Sequence, residues 1–388
     1  MLIGFNFLYY AMMSVFMTYL PVYFADREIA PAEIGILLGV GTVTGIVAPP
    51  LWGYLSDRWR NVRKVLLLIV TCAILAGTIL FQTSSIWAMF LLVVCSYFFI
   101  SPIGPLTDSI NYRVAEERGI SFGSIRLFGS LGYGAAALAG GMILAQIGMG
   151  SLSYLFLASG LLTLSIAWFL PNSAASSRPI TLEAIKKFFS YRPTLWMLVI
   201  ITLLSIPHRA NDSFLGVYIQ QLGGSTVLVG QAWFLATISE AIAFALGMYW
   251  LQKGRELPLM AIAAFFYVIR YLLSGVMTSP HWIAWLQLFH GITYAFFYAA
   301  AIQYLYRTAP EELRATSQTV FGAIFFGLSG IIGSVLGGWV METYGGKALF
   351  QSMAAMAILS FLLVIGTMRF RKQKSDRKEI NHGGITVE

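Results

Sequence analysis

The sequence predicts an all-α membrane protein with twelve transmembrane helices arranged as two pseudo-symmetric six-helix bundles. Three observations carry that expectation. Of 388 residues, 58% are hydrophobic and only 11% charged, too apolar a balance for a water-soluble domain. The apolar residues gather into twelve runs, each near the ~20 residues a helix needs to cross hydrocarbon. The longest polar stretch lies mid-chain, with six runs on either side.

The spans fall at 2–24, 33–54, 65–82, 86–112, 123–146 and 152–170, then at 194–219, 226–250, 258–277, 281–305, 316–340 and 347–368. Residues 1–170 therefore form an N-terminal bundle, 171–193 a cytoplasmic linker, 194–368 a C-terminal bundle and 369–388 a basic cytoplasmic tail. The first span has neither a basic n-region nor a small-residue cleavage site, so it reads as a membrane helix rather than a removed leader. The fourth carries SPIGP from Ser101 to Pro105, and the seventh carries Ile206-Pro207-His208. Proline removes a backbone hydrogen bond and bends a helix, which a membrane tolerates where the helix lines a cavity or packs on protein. A charge follows each proline break, Asp108 or Arg209, and both helices are expected to border a pathway. The fifth span contains GSLGYGAAALAGG from Gly129 to Gly141, and the eleventh GLSGIIGSVLGG from Gly327 to Gly338. Small residues let helices approach closely, and paired halves of this kind mark duplicated transporters. The eighth, ninth and tenth spans are interrupted by Glu240, Arg270 and His290. An ionisable group in hydrocarbon costs roughly 2.5–3.5 kcal/mol on insertion scales, so such groups usually face a cavity and serve ion or substrate movement.

Charge distribution sets the topology. Of 25 cations, 20 lie in the even-numbered loops and the tail, and only Arg27 and Lys347 lie in the odd-numbered loops. The positive-inside rule then places both termini in the cytoplasm of a multi-pass cell-membrane protein. The net charge of +8 is thus an orientation signal and a lipid contact rather than a nucleic-acid patch. Cys72 and Cys95 lie inside spans, so neither a disulfide framework nor a metal site is expected. No nucleophile elbow, phosphate loop or metal-ligand cluster is present, which excludes the common enzyme classes. No cofactor is expected.

The loop after the second span reads GYLSDRWRNVRK from Gly53 to Lys64. It resembles the signature of the major facilitator superfamily, with Gly53, then Asp57-Arg58, then Arg63 and Lys64. Trp59-Arg60-Asn61 stands where the signature has a second glycine. The resemblance extends along the chain and is strongest to the branch of lactose permease, nucleoside–proton symporters and phenylpropionate-permease-like proteins. PLTD from Pro105 to Asp108 and FGSIRLFGS from Phe122 to Ser130 match that branch's fourth and fifth helices. The resemblance implies the major facilitator fold, a gating role for Gly53, Asp57 and Arg58, and a substrate site of Asp108, Arg126, Tyr133, Glu240 and His290. It implies proton coupling through Glu240, Arg270, His290 and Asp212. The carboxylate that the branch carries three residues after its histidine is replaced by Thr293, and a nearby lysine by Gln287.

The chemistry of these residues stands beside the resemblance. A carboxylate accepts and a guanidinium donates several hydrogen bonds to a polyol, while an aromatic face covers its apolar side. Burial drives a carboxyl group towards its neutral form and a nearby arginine drives it back, so small movements can switch its proton affinity. Asp108 and Arg126 can equally pair across helices as a structural couple, and Asp212 can simply neutralise Arg209 one turn away. Tyr9, Tyr10, Tyr294 and Tyr298 are candidate cavity aromatics. The expected function is proton-coupled symport of a small polar organic solute by alternating access, a sugar or glycoside favoured, by a protein functional as a monomer. A proton-driven efflux antiporter, or a symporter for a nucleoside or aromatic acid, is the alternative.

Overall fold

The computed structural model describes residues 1–171, 188–189 and 192–383, so the linker expected at 171–193 and tail residues 384–388 lie almost wholly outside it. Helix dominates, and no strand occurs among the described residues. In chain order, α1 is Leu2–Asp26, α2 Pro31–Trp59, α3 Val62–Leu80, α4 Ile86–Arg118, α5 Phe122–Ile147 and α6 Leu152–Ala167. Beyond the linker come α7 (Arg192–Gln221), α8 (Thr226–Ala245), α9 (Glu256–Val276), α10 (280–308), α11 (314–344) and α12 (346–383).

Local chemistry sets several boundaries. Pro31 opens α2 at a position whose N–H has no partner to lose. Arg60 ends α2 in the left-handed region at φ 49°, and the Asn61 side chain caps α3 by accepting from the Lys64 N–H at 3.0 Å. Arg60 and Asn61 thereby make the turn for which the family signature has glycine. Ser121 caps α5 by accepting from the Gly123 N–H at 3.2 Å.

Two expectations are corrected. Pro207 does not break its helix, since α7 runs through it from Arg192 to Gln221. The fourth span is interrupted at Ser101–Pro102, between Ile86–Ile100 and Ile103–Arg118. The last helix does not stop near 368; its backbone continues to Gly383 after a kink at Gly345, where φ is 88°.

Within the first six helices, α1 packs on α5 and α6, and α3 on α4 and α6. Among the last six, α7 and α9 pack on the 329–383 stretch. The two groups meet where α5 lies along α8 and α2 along α11. The tightest meetings are near the odd-numbered loops: Gly35 abuts Gly338, and Gly230 abuts the Ala137 backbone. Large apolar side chains such as Leu75, Trp87, Trp168 and Leu362 cover the outside of the bundle, a surface suited to lipid. The protein is a multi-pass membrane protein.

Candidate functional site

A two-lobed cavity lies between the two groups of helices. The polar lobe, about 180 Å³, is lined by Tyr10, Arg126, Ser130, Thr237, Glu240, His290 and Tyr294 among others. The second lobe, about 260 Å³, is largely apolar, with Met13, Met17, Leu38 and Tyr97 in its wall. Tyr133, Arg209, Asp212, Trp233 and Phe326 line both and form the neck between them.

On the first wall, Arg126 lies over the Tyr10 ring at 4.1 Å, and its Nε is 3.7 Å from Oδ1 of Asp108. Asp108 itself lines neither lobe. It meets the cavity through Arg126, and it is oriented from behind by Asn111, whose Nδ2 donates to Oδ1 at 3.2 Å. Asn111 and Asn6 exchange two buried hydrogen bonds of 2.9 Å each. Tyr133 stands in the neck, 3.4 Å from the Thr18 hydroxyl and with its ring centroid 6.1 Å from that of Trp233.

On the second wall, Oε2 of Glu240 is 3.6 Å from Nε2 of His290. Arg270 is fully buried behind His290 rather than beside Glu240. Its Nη1 lies 3.3 Å from His290 Nδ1 and donates to Thr293 Oγ1 at 3.2 Å, and its Nη2 donates to Gln287 Oε1. The sequence places Glu240, Arg270 and His290 in one group; the structure orders them in a line with His290 in the middle. Asp212 accepts from Arg209 at 2.7 Å and lies 3.6 Å from His208 Nε2. The His208 ring stacks on Tyr294, centroids 4.9 Å apart and planes 5° apart, and its Nδ1 is 2.9 Å from the Tyr267 hydroxyl.

Irregular backbone brings these groups to the cavity. α10 tightens to 3₁₀ geometry at Leu286–Phe289 and widens to π geometry at Gly291–Ala295, on either side of His290. The absent side chain of Gly291 lets α10 touch α8, where the Ser239 hydroxyl accepts from the Gly291 N–H at 3.0 Å. α11 has a π segment at Ala323–Leu328, which includes Phe326. Such bulges concentrate at functional sites.

Gly53, Asp57 and Arg58 lie at the end of α2 and outside both lobes, and the missing Gly53 side chain faces open space. Tyr10 and Tyr294 line the polar lobe, whereas Tyr9 is buried and lines neither lobe. Sequence reasoning missed Trp233 and Phe326. Trp233 carried a usable signal, lying seven residues before Glu240 and hence two turns along the same face of α8. Among the described residues, no group of His, Cys, Asp and Glu is arranged to hold a metal ion.

A twelve-helix bundle with ion-paired side chains around a central cavity defines a secondary transporter rather than an enzyme. The chain belongs to the MFS_1 like family, whose model matches residues 1–352. It is 27% identical over 364 residues to the maltose permease of Geobacillus stearothermophilus, spanning 93% of this chain and 92% of that one. It is 26% identical over 366 residues to a probable 3-phenylpropionic acid transporter of Escherichia coli (strain K12), spanning 92% and 94%. Its fold matches the crystal structure of the nucleoside transporter NupG with a TM-score of 0.81 at 19% identity, over 96% of this chain and 98% of that one.

Proposed function

We propose that the protein is a proton-coupled symporter that imports a neutral hydroxylated solute, a sugar or glycoside, by alternating access. One observation carries the reading: each guanidinium lining the cavity already has a carboxylate partner, Arg126 with Asp108 at 3.7 Å and Arg209 with Asp212 at 2.7 Å. Such a site offers matched donors and acceptors to hydroxyl groups and no spare cation to an acid. Tyr133 and Trp233 supply flat faces for the apolar side of a ring. The maltose permease relative supports the class.

Glu240, 29% exposed in the cavity wall, takes a proton when the cavity opens outward and loses it when the cavity opens inward. One charge moving down the membrane potential yields about 2.3 kcal/mol per 100 mV. With both termini and the even-numbered loops cytoplasmic, the contacts near the odd-numbered loops close the outer face, and this conformation faces inward. Gly53, Asp57 and Arg58 form the cytoplasmic gate that closes in the opposite state. A single chain provides the whole pathway, and the basic tail meets anionic lipid.

A second reading rests on the apolar lobe. An aromatic acid would set its ring among Met13, Met17 and Leu38 and draw Arg209, which lines the same lobe, away from Asp212, and the 3-phenylpropionic acid relative favours it.

Uptake into proteoliposomes from a panel of labelled sugars, glycosides, nucleosides and aromatic acids, with an inward proton gradient and with the gradient collapsed, decides between them. Gradient-dependent accumulation of a sugar or glycoside is expected. Accumulation of an aromatic acid alone replaces the first reading with the second, and equilibration regardless of gradient removes proton coupling.

A further inference from the structure

The cavity wall formed by α8 and α10 has a reverse side. Successive residues of a helix turn by about 100°, so residues two before and two after a given one lie nearly opposite it. Ile238 and Ile242 therefore lie opposite Glu240 on α8, and Leu288 and Ile292 opposite His290 on α10. These four side chains line an apolar pocket of about 300 Å³ on the outside of the α8–α10 seam. It shares no lining residue with either lobe of the central cavity, and Ile242, Leu246 and Leu288 are exposed at its rim.

The floor of the pocket is the close contact between the two helices. Gly291 has no side chain to hold them apart, and the Ser239 hydroxyl accepts from its N–H at 3.0 Å. Trp250 closes the end nearest the α8–α9 turn. The chain leaves α8 at Leu246 and makes the short helical turn Gly247–Trp250, which folds the indole back so that Nε1 donates to the Ala243 carbonyl at 2.9 Å. That carbonyl is among the four that a helix end leaves without an internal partner. The indole lies against Phe296, centroids 4.2 Å apart and planes 28° apart.

Length and charge identify the occupant. From Ile238 to Leu246 the pocket runs about 12 Å along α8, less than half of the ~30 Å hydrocarbon thickness. A helix of another chain needs a groove across the whole bilayer, whereas a lipid tail needs only one leaflet. Beyond Trp250 come Lys253 and Arg255, both exposed and separated from it by at most about 18 Å of chain. The neighbouring carboxylate, Glu256, is already engaged: it is buried, pairs with Arg307 at 2.5 Å and accepts from the Gly254 N–H at 3.3 Å. An apolar slot one leaflet deep is thus followed, at the membrane surface, by two cations that complement a phosphate.

We propose that this pocket binds a phospholipid with a net negative headgroup, one acyl chain lying against Gly291 and the headgroup meeting Lys253 and Arg255. Ser239 and Gly291 are the sequence neighbours of Glu240 and His290. The bound chain therefore braces α8 against α10 directly behind the cavity wall.

Full-length protein in nanodiscs containing phosphatidylglycerol with a photoreactive diazirine midway along one chain tests this, with the equivalent phosphatidylcholine at the same mole fraction in parallel. After irradiation, peptide mass spectrometry locates the labelled residues. Phosphatidylglycerol should label the surroundings of Ile242, Leu246, Leu288 and Ile292 at least about fivefold more than phosphatidylcholine, the factor that one basic residue near the surface supplies. Lys253→Gln combined with Arg255→Gln leaves the pocket intact and should bring the two lipids to equal labelling. Ile242→Trp, which fills the pocket from its exposed rim, should lower labelling by both. Equal labelling of the wild type by the two lipids, label spread evenly over the outside of the bundle, or a preference that survives loss of both cations overturns the proposal. Absence of label from the pocket, as when a second copy of the chain covers it, overturns it too.

Discussion

The backbone N–H of Ala32, in the first turn of α2, donates to Oε2 of Glu342 near the end of α11 at 2.9 Å. A carboxylate from one half of the molecule thus caps a helix of the other. α2 has no cap of its own here, because its N-cap residue is Ala30. An exposed carboxylate at a helix N-terminus is worth roughly 0.3–1 kcal/mol, and this one contributes only while α2 and α11 touch on the odd-loop face. Glu342→Ala should therefore raise the population open on that face roughly two- to fivefold. A cysteine placed at Thr42 in the apolar lobe, with Cys72 and Cys95 replaced by serine, reports it through its rate of reaction with a membrane-impermeant thiol reagent added on that face. An unchanged rate would show that the contact does not latch the closed state.

The same face closes through glycine. A Cβ on Gly230 would collide with the Ala137 carbonyl and stand 2.9 Å from the Tyr19 hydroxyl. Since Ala137 belongs to α5 and Gly230 to α8, the collision occurs only when the halves meet. Overpacking costs about 1–3 kcal/mol, so Gly230→Val should lower the closed population about tenfold. Turnover should fall by a similar factor while solute affinity in detergent changes much less. Equal losses in both would point to general misfolding instead.

Asp108 is held by a buried amide pair whose orientation is determined from both ends. A carboxylate can only accept, so Asn111 must present its Nδ2 to Asp108. Its oxygen then accepts from Asn6, which also donates to the Leu2 carbonyl at 2.9 Å. Asn111→Leu leaves the Asn6 amide unsatisfied and should cost about 1–3 kcal/mol of stability. Replacing both asparagines by leucine should recover most of that loss, because no orphaned amide remains. Solute affinity should stay several-fold weaker in both variants, as Asp108 has lost its support. Thermal unfolding and equilibrium binding on the three proteins separate the two effects.

The helices were legible in the sequence because hydrocarbon thickness imposes a length on each apolar run, and charges stand out against such a background. Glu240, His290, Arg126 and Asp212 could be singled out for that reason, and all four line the cavity. Two of the partners of Arg270, Thr293 and Gln287, could not be read. Thr293 and Gln287 mark the loss of a carboxylate and a lysine, yet only the backbone widening at Gly291 and the packing of α10 on α8 determine that both turn to the guanidinium. Asp108 shows the converse limit, since a charge in the right span lies outside both lobes once Asn111 and Arg126 have claimed it. Phe326 was hidden by composition, one in six or seven residues being aromatic at 15%, so that an aromatic in a span carries little information by itself.

Glu240 is the carboxylate on which the transport reading turns. It reaches the polar lobe, touches His290 at 3.6 Å and forms no salt bridge with an arginine or lysine among the described residues, the guanidinium of Arg270 being held one residue further back. Protonation therefore breaks no ion pair to arginine, whereas protonating Asp212 or Asp108 would disrupt its pair with Arg209 or Arg126. Glu240→Gln keeps the length and the accepting oxygen but cannot exchange a proton. The expected phenotype is loss of accumulation above equilibrium, with solute-for-solute exchange persisting within about tenfold of wild type, as expected when a proton-binding group rather than the binding site is lost. Uptake by the wild type should rise as the external pH falls, and the variant should lose that dependence. Counterflow and gradient-driven uptake in the same proteoliposomes measure the two rates. Continued uphill, pH-dependent uptake by the variant would move the proton to Asp212, the other carboxylate in the cavity wall, and Asp212→Asn would then show the uncoupled behaviour instead.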